Sequence, residues 1–407
     1  MKIANILRRI AFDEWGGTET AVWNASKELC SMGNNVEVLS TTALCSTESE
    51  VIDGIVVKRF PYFYPQLFLK SENALALDKK GGNPFSLGLY SYLAASDFDI
   101  LHTHAMGRIA KEVRKAARKI GVPYVISFHG GNYDVPQSEF DEMAKPLKGS
   151  IGYGRFVEKL FRLDCDIVEQ ADGVICVGQN ELEELKKRFP DKRAVCIPNG
   201  VDADKFQKNI SADFRAAHNI PKDKKLILCV SRIDYQKNQL ALVRLVKDLA
   251  ARGERVHCAI VGFVTSRPYY EMLKAAVKTE GLEADFTFVE GLPPDSEMLV
   301  SAYRSADLFA LPSVHEPFGI VALEAWSAGV PLIAARVGGL KTLVEDGKTG
   351  YLFDPQSPEE MLAAYRSAMQ NASAISALGA SQAREKYSWN AVAKQLFDFY
   401  KTVLHGK

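Results

Sequence analysis

The chain has no run approaching the roughly 20 consecutive apolar residues that span a bilayer, so any membrane association is expected to be peripheral. Neither sign of charge is in excess. Its 50 basic residues balance 50 acidic ones, which argues against a general nucleic-acid binder, since such proteins normally carry a basic surplus. There is no Cys-x-x-Cys pair. The seven cysteines, Cys30, Cys45, Cys165, Cys176, Cys196, Cys229 and Cys258, are scattered, several inside apolar strand-like runs, as expected of buried thiols in a reducing compartment. The opening apolar run ends at Arg8 and Arg9, too early for the hydrophobic region of a secretory signal. No internal repeat or low-complexity tract is present. These absences lead to the expectation of a cytoplasmic globular protein.

The 407 residues, 47% of them hydrophobic, exceed what one core usually serves, so two α/β domains of similar size are expected. Short apolar runs alternate with amphipathic helical patterns throughout, the signature of parallel sheets built from βαβ units. Strands are read near 2–8, 36–41, 99–103, 123–128, 172–177 and 194–197, then in a second series near 225–230, 256–262, 285–289, 307–311, 331–334 and 350–353. The stretch from Asn199 to about Pro221 lacks a strong strand and suits a linker. This gives a first domain over 1–205, a second over 206–385, and a C-terminal helix over 386–407 packing back towards the first domain. Its apolar face is read as Val392, Leu396, Phe397, Tyr400 and Val403. Residues 61–86, rich in proline and aromatics, read as an irregular insertion.

Several groups of residues carry chemistry. The run His315-Glu316-Pro317-Phe318-Gly319-Ile320-Val321-Ala322-Leu323-Glu324 follows the apolar Leu308-Phe309-Ala310-Leu311 and opens a helix. It places Glu316 in a loop at a strand's carboxyl end, where open α/β sheets bind ligands, and Glu324 more than a turn into the helix. The amides of Phe318 and Gly319 would point out of the helix N-terminus towards an anion or a sugar hydroxyl. Arg232 and Lys237 follow the first strand of the second domain. Gly16-Gly17 follows the first strand of the chain, where a glycine pair lets backbone approach a ligand closely, although it is not the full Gly-x-Gly-x-x-Gly fingerprint of a dinucleotide site. His129 ends the run 122–128 and is followed by Gly130-Gly131. His102 and His104 share one face of a strand, without a third ligand that would suggest a metal.

With its whole Glu-Pro-Phe-Gly context, the Glu-x7-Glu element at Glu316 and Glu324 resembles that of the retaining GT-B-fold glycosyltransferases of family four, and the motif matches extend over both domains. The resemblance implies two Rossmann-like domains facing each other across a cleft, the donor bound mainly by the C-terminal one and the acceptor by the N-terminal one. It implies that Glu316 contacts the donor sugar and Glu324 the nucleotide ribose. Phe318, Gly319 and Ile320 join them in donor binding, and Arg232 and Lys237 hold the donor diphosphate. Gly16 and Gly17 would cover the donor phosphate and acceptor side. His129 matches the active-site histidine near the donor sugar, acting by positioning or by charge stabilisation, and His104 would line the acceptor side.

The expected reaction is transfer of a sugar from a nucleotide-sugar donor to a glycan, lipid-linked or small-molecule acceptor, with retention. Three Asp-x-Asp strings, 97–99, 164–166 and 202–204, coincide with none of the donor elements. Arg232 and Lys237 can take a cation's task, so no metal and no cofactor is expected. The family's frequent Gly-x-Gly-Pro turn is replaced by Val261-Gly262-Phe263-Val264, which leaves the base open, and 132–155 matches nothing. The helix 108–119, with six basic residues and one acidic, reads as a solvated outer face, with contact to anionic lipid as the alternative. The rival functions are a non-catalytic nucleotide-sugar-binding protein and an epimerase or oxidoreductase on the same scaffold.

Overall fold

The computed structural model describes residues 1–12, 16–130 and 143–406. The chain divides into two compact units, Met1–Asn199 with Trp389–Lys407, and Gly200–Ser388. The segment expected to be a linker does not behave as one. Val201 donates its amide to the Tyr387 carbonyl at 2.7 Å, Phe206 packs edge-on against Tyr303, and Gln207 reaches the Ser327 carbonyl. These contacts fold the segment into the second unit, so the division falls slightly before residue 205.

The strands of the first unit are β1 (Lys2–Arg9), β2 (Asn35–Thr41), β3 (Ser49–Ile52), β4 (Ile55–Phe60), β5 (Gln66–Leu67), β6 (Ile100–Thr103), β7 (Tyr124–Phe128), β8 (Ile151–Gly152), β9 (Gly173–Cys176) and β10 (Ala194–Cys196). Eight of them form one sheet in the order β10-β9-β7-β6-β1-β2-β4-β3, parallel except for β3 against β4. Central β1 is apolar on both faces, with Ile3, Ala4, Ile6 and Leu7 buried, because helices cover both sides of a parallel sheet. The chain leaves β1 for β2 on one side and later adds β6 on the other. That reversal makes the carboxyl ends of β1 and β6 the ligand edge.

The second unit repeats the plan. Its strands are β11 (Lys225–Val230), β12 (Val256–Val261), β13 (Phe286–Val289), β14 (Leu308–Leu311), β15 (Leu332–Ala335) and β16 (Tyr351–Phe353), in the all-parallel order β13-β12-β11-β14-β15-β16. Here the reversal lies between β11 and β14.

Two features depart from what the sequence suggests. The hairpin β3–β4 is not among the strands expected, although Asp53-Gly54 is the two-residue turn such a hairpin prefers; Ile52 faces Ile55 across it, with Asp53 at φ 50° and Gly54 at φ 80°. The segment 61–86 is ordered: Phe63 and Phe85 exchange backbone hydrogen bonds, and the Tyr62 and Tyr64 hydroxyls donate to buried Asp78 at 2.6 and 2.8 Å. The C-terminal helix Trp389–His405 belongs to the first unit. Its buried stripe is Trp389, Val392, Ala393, Leu396, Phe399, Tyr400 and Val403, with Phe397 only at its margin.

Candidate active site

Each unit carries a cluster at the carboxyl edge of its sheet. In the second unit, the loops after β11 and β14 are tied together by the Val314 amide donating to the Gln236 carbonyl at 2.9 Å. Lys237 Nζ from the first loop then meets Glu316 Oε2 from the second at 2.7 Å, with each side chain 11% exposed. Ser313 Oγ also approaches that oxygen at 3.4 Å. The backbone behind Lys237 is held by Asp234, which accepts its amide, and by buried Gln239, which donates to Ser231 Oγ and the Arg232 carbonyl. Arg232 is exposed and hydrogen-bonds Gln236 at 2.9 Å. Two cations, Lys237 and Arg232, and two carboxylates, Glu316 and Asp234, therefore lie at the switch point; Lys237 is held within the loops, while Arg232, 3.5 Å from Asp234, is exposed.

Glycine geometry sets where Glu316 sits. Gly319 caps the helix Ile320–Ser327 in a left-handed conformation, φ 98°, and a Cβ there would stand 2.7 Å from a Leu340 methyl. Gly338, at φ 44°, passes so close to the Glu316 carbonyl that a Cβ would lie 2.2 Å from it. The Gly339 amide donates to that same carbonyl at 2.9 Å. Only glycine fits this approach. The Gly338-Gly339 turn after β15 thus braces the loop that carries Glu316, a role absent from the sequence reading although the glycine pair follows a strand. Phe318 is buried, and the first amides of the helix Ile320–Ser327 have no intrahelical acceptor.

Glu324 lies on that helix and accepts the Tyr303 hydroxyl at 2.6 Å. Burial raises its carboxyl above the ordinary range, against the pull of Lys205. Burial and the Glu324 carboxyl push the Tyr303 phenol well up, so it stays a donor. Tyr303 is a second residue the sequence reading missed; its helical position gave no signal.

In the first unit, Gly16 caps the helix Gly17–Ser31, and a Cβ added at Gly17 would meet nothing within 4 Å. His129 Nε2 lies 2.9 Å from His104 Nδ1, beyond the ends of β7 and β6. His102 is separate in role: it is buried, its nitrogens occupied by the Tyr400 hydroxyl and Ser127 Oγ. Burial lowers the His129 imidazole to about 4 and that of His102 to about 3. Both are neutral at physiological pH. Burial thus favours the neutral, hydrogen-bonding form of the His129 ring. Gly131, the second glycine after His129, lies outside the described residues, as does 132–142 of the unmatched stretch.

The comparisons with known proteins agree on one family. The model described as Glycosyltransferase Family 4 matches residues 15–205, and that described as Glycosyl transferases group 1 matches 211–389. The chain is a family 4 glycosyltransferase. The glycosyltransferase is 27% identical over 95% of its length to a D-inositol 3-phosphate glycosyltransferase of Catenulispora acidiphila, covering 90% of that protein. It is 28% identical over 97% of its length to the sulfoquinovosyl transferase SQD2 of Arabidopsis thaliana, covering 72% of it. Among solved structures, Anabaena HepE in complex with UDP matches with TM-score 0.71 and 18% identity over 99% of this chain and 100% of that one. The fold of the glycosyltransferase is accordingly GT-B, with two Rossmann-like sheets.

The remaining candidates have local partners. Asp99 accepts the Lys2 amide and Asp97 pairs with the Lys2 side chain; Asp166 and Asp202 cap turns by accepting amides from Val168 and Lys205. Among the described residues no group of three His, Cys, Asp or Glu side chains gathers as for a metal, and no helix is long and apolar enough to cross a membrane. On the basic helix, now Arg108–Ile120, Arg108 and Lys111 bind Glu158, Lys115 donates to the Phe161 carbonyl, and Arg114 is buried. Half of its six basic side chains are thus engaged within the chain.

Proposed function

We propose that the glycosyltransferase uses a nucleoside-diphosphate sugar as donor, transfers the sugar with retention, and needs no metal ion. The observation that carries this reading is the Lys237–Glu316 pair at the β11/β14 reversal. A donor diphosphate brought there would draw Lys237 and the exposed Arg232 onto its oxygens, stabilising the charge that develops on the leaving group. Glu316, released from Lys237, would accept a hydroxyl of the donor sugar. Glu324 would take the ribose, one of its oxygens already occupied by Tyr303. The amides of Phe318, Gly319 and Ile320 would receive an anionic oxygen at the helix N-terminus. Exposed Phe263, whose ring lies against Gly291 just after β12, offers a surface for the base.

In the first unit, Gly16 and Gly17, at the start of the helix Gly17–Ser31, would admit the donor phosphate, since without side chains they leave the backbone open to it. His129 and His104 would meet the sugar and the acceptor. The reaction proposed is front-face attack. The acceptor oxygen bonds the anomeric carbon as the bond from that carbon to the phosphate oxygen breaks, and the acceptor proton passes to that oxygen. The phosphorylated inositol in one relative's name supports a small-molecule acceptor. Seven free cysteines support a cytoplasmic setting, and lipid contact would be peripheral.

The test is a panel of UDP-, GDP- and ADP-sugars scored by thermal stabilisation and by slow donor hydrolysis, with and without a chelator. A ligand of the native state raises its apparent stability. One donor should stabilise and be hydrolysed equally with and without chelator; loss of hydrolysis on chelation removes the metal-free claim. Binding without turnover favours the non-catalytic alternative, and silence with every donor overturns the reading.

A further inference from the structure

We infer that Ser26, Asn5 and His104 are positioning residues that fix the tautomer of His129, so that its Nδ1 is presented as a hydrogen-bond acceptor for a sugar hydroxyl. The inference deepens the role proposed above for His129 and rests on it.

The direction of every link follows from the one before. Ser26 Oγ donates to the Val22 carbonyl at 2.7 Å, which can only accept. Its lone pair therefore receives the Asn5 Nδ2 amino group at 2.8 Å. That bond orients the Asn5 amide and turns Oδ1 towards His104 Nε2, 3.5 Å away. An amide oxygen can only accept, so His104 carries its proton on Nε2 and leaves Nδ1 bare. His129 Nε2, 2.9 Å from that bare nitrogen, must then be the protonated one. What is left is His129 Nδ1, an acceptor, buried and without a hydrogen-bond partner among the described residues.

The chain of bonds begins in the helix Gly17–Ser31, passes through β1 and ends beyond β6 and β7, all at the reversal point of the first sheet. Asn5 and Ser26 are buried, so no water competes for the bonds that set the direction. His102 packs beside it, its ring 4.0 Å from that of His104, while its own nitrogens are occupied by Tyr400 and Ser127; it holds the His104 ring without joining the chain. An unpartnered buried acceptor is costly to leave unmade, and a hydroxyl is the ligand group that satisfies it. A phosphate oxygen or a carboxylate would not.

Ring nitrogen shifts in histidine-labelled protein decide this, with signals assigned by loss in His104→Ala and His129→Ala. Both rings should carry the proton on Nε2 at neutral pH. Ser26→Ala frees the Asn5 amide to turn over, and Asn5→Leu removes the acceptor. Each should give His129 a mixture of tautomers and lower kcat about tenfold, the worth of one good hydrogen bond; Ser26→Thr, which keeps the hydroxyl, should restore both. Thermal unfolding reports whether the variants fold; if Asn5→Leu does not, the Ser26 pair decides. A wild-type His129 protonated on Nδ1 or on both nitrogens overturns the inference, as do folded Ser26→Ala and Asn5→Leu proteins with unchanged shifts and kcat. If the shifts are as expected but no nucleotide sugar is turned over, the catalytic reading falls while the tautomer assignment stands.

Discussion

Glu316 illustrates how much one residue depends on neighbours far away in sequence. Its carboxylate is held by Lys237, 79 positions earlier, and its backbone by Gly338 and Gly339 after β15. Exchanging Glu316 for glutamine keeps the shape and the ability to accept a hydroxyl but removes the charge that balances Lys237. We expect Glu316→Gln to fold with a melting temperature within a few degrees of wild type and to lose about a hundredfold or more in kcat, the scale of one lost electrostatic contact in a transition state. Parallel thermal unfolding and transfer assays check this; near-normal turnover would remove Glu316 from the site. The sequence marked Glu316 because the motif is local. It could not mark Tyr303 or Gly338, whose roles exist only through a contact across the fold.

Among the secondary-structure elements, the helix Arg108–Ile120 carries an unusual buried acid. Both oxygens of Glu112 lie 3.1 Å from the Ser86 amide, fastening this helix to the start of the helix Leu87–Leu93. Burial raises the Glu112 carboxyl to about 8, against the lowering influence of that amide and of Lys115. The folded protein therefore binds a proton that the unfolded chain, titrating near 4.5, releases. The stabilisation is complete below about pH 4.5 and is lost as pH rises through about 8. Glu112→Gln, which keeps an acceptor for Ser86 without a charge, should raise the melting temperature at about pH 8–9 and change it little at about pH 5. Melting curves at the two pH values test this, and an equal shift at both would refute the titration. The same helix shows why composition misleads about surfaces: six basic residues suggest an open charged face, but Glu158 and the Phe161 carbonyl, both distant in sequence, take up three of them.

Across the whole molecule, the last segment of the chain completes the first unit rather than the second. The stripe Trp389, Val392, Leu396, Phe399, Tyr400 and Val403 enters the same core as Ile3, Leu29 and Val125. At roughly 1.5–3 kcal/mol for each large side chain buried, its gross contribution is on the order of 10 kcal/mol, comparable to the whole stability of a typical domain. A chain ending at Ser388 should therefore lose the first unit and keep the second. Hydrogen exchange should find protection surviving in β11–β16 and lost in β1, β6 and β7; equal protection in both units would contradict it.

Some of this was set by sequence alone. The alternation of apolar runs and amphipathic helices determines two parallel sheets, because a strand buried on both faces must be apolar throughout, and the motif at 315–324 determines the family. Local chemistry also predicts that Arg232, Lys237, Gly16 and His129 stand at strand ends. Tertiary structure alone decided the rest: that Lys237 pairs with Glu316, that Asn5 and Ser26 dictate where His129 holds its proton, that half the basic residues of one helix are engaged by Glu158 and the Phe161 carbonyl, and that the C-terminal helix closes the first core. Each of these depends on a distance between residues tens to hundreds of positions apart. A hydrogen bond or an ion pair exists only within a few ångströms, and packing brings those groups together.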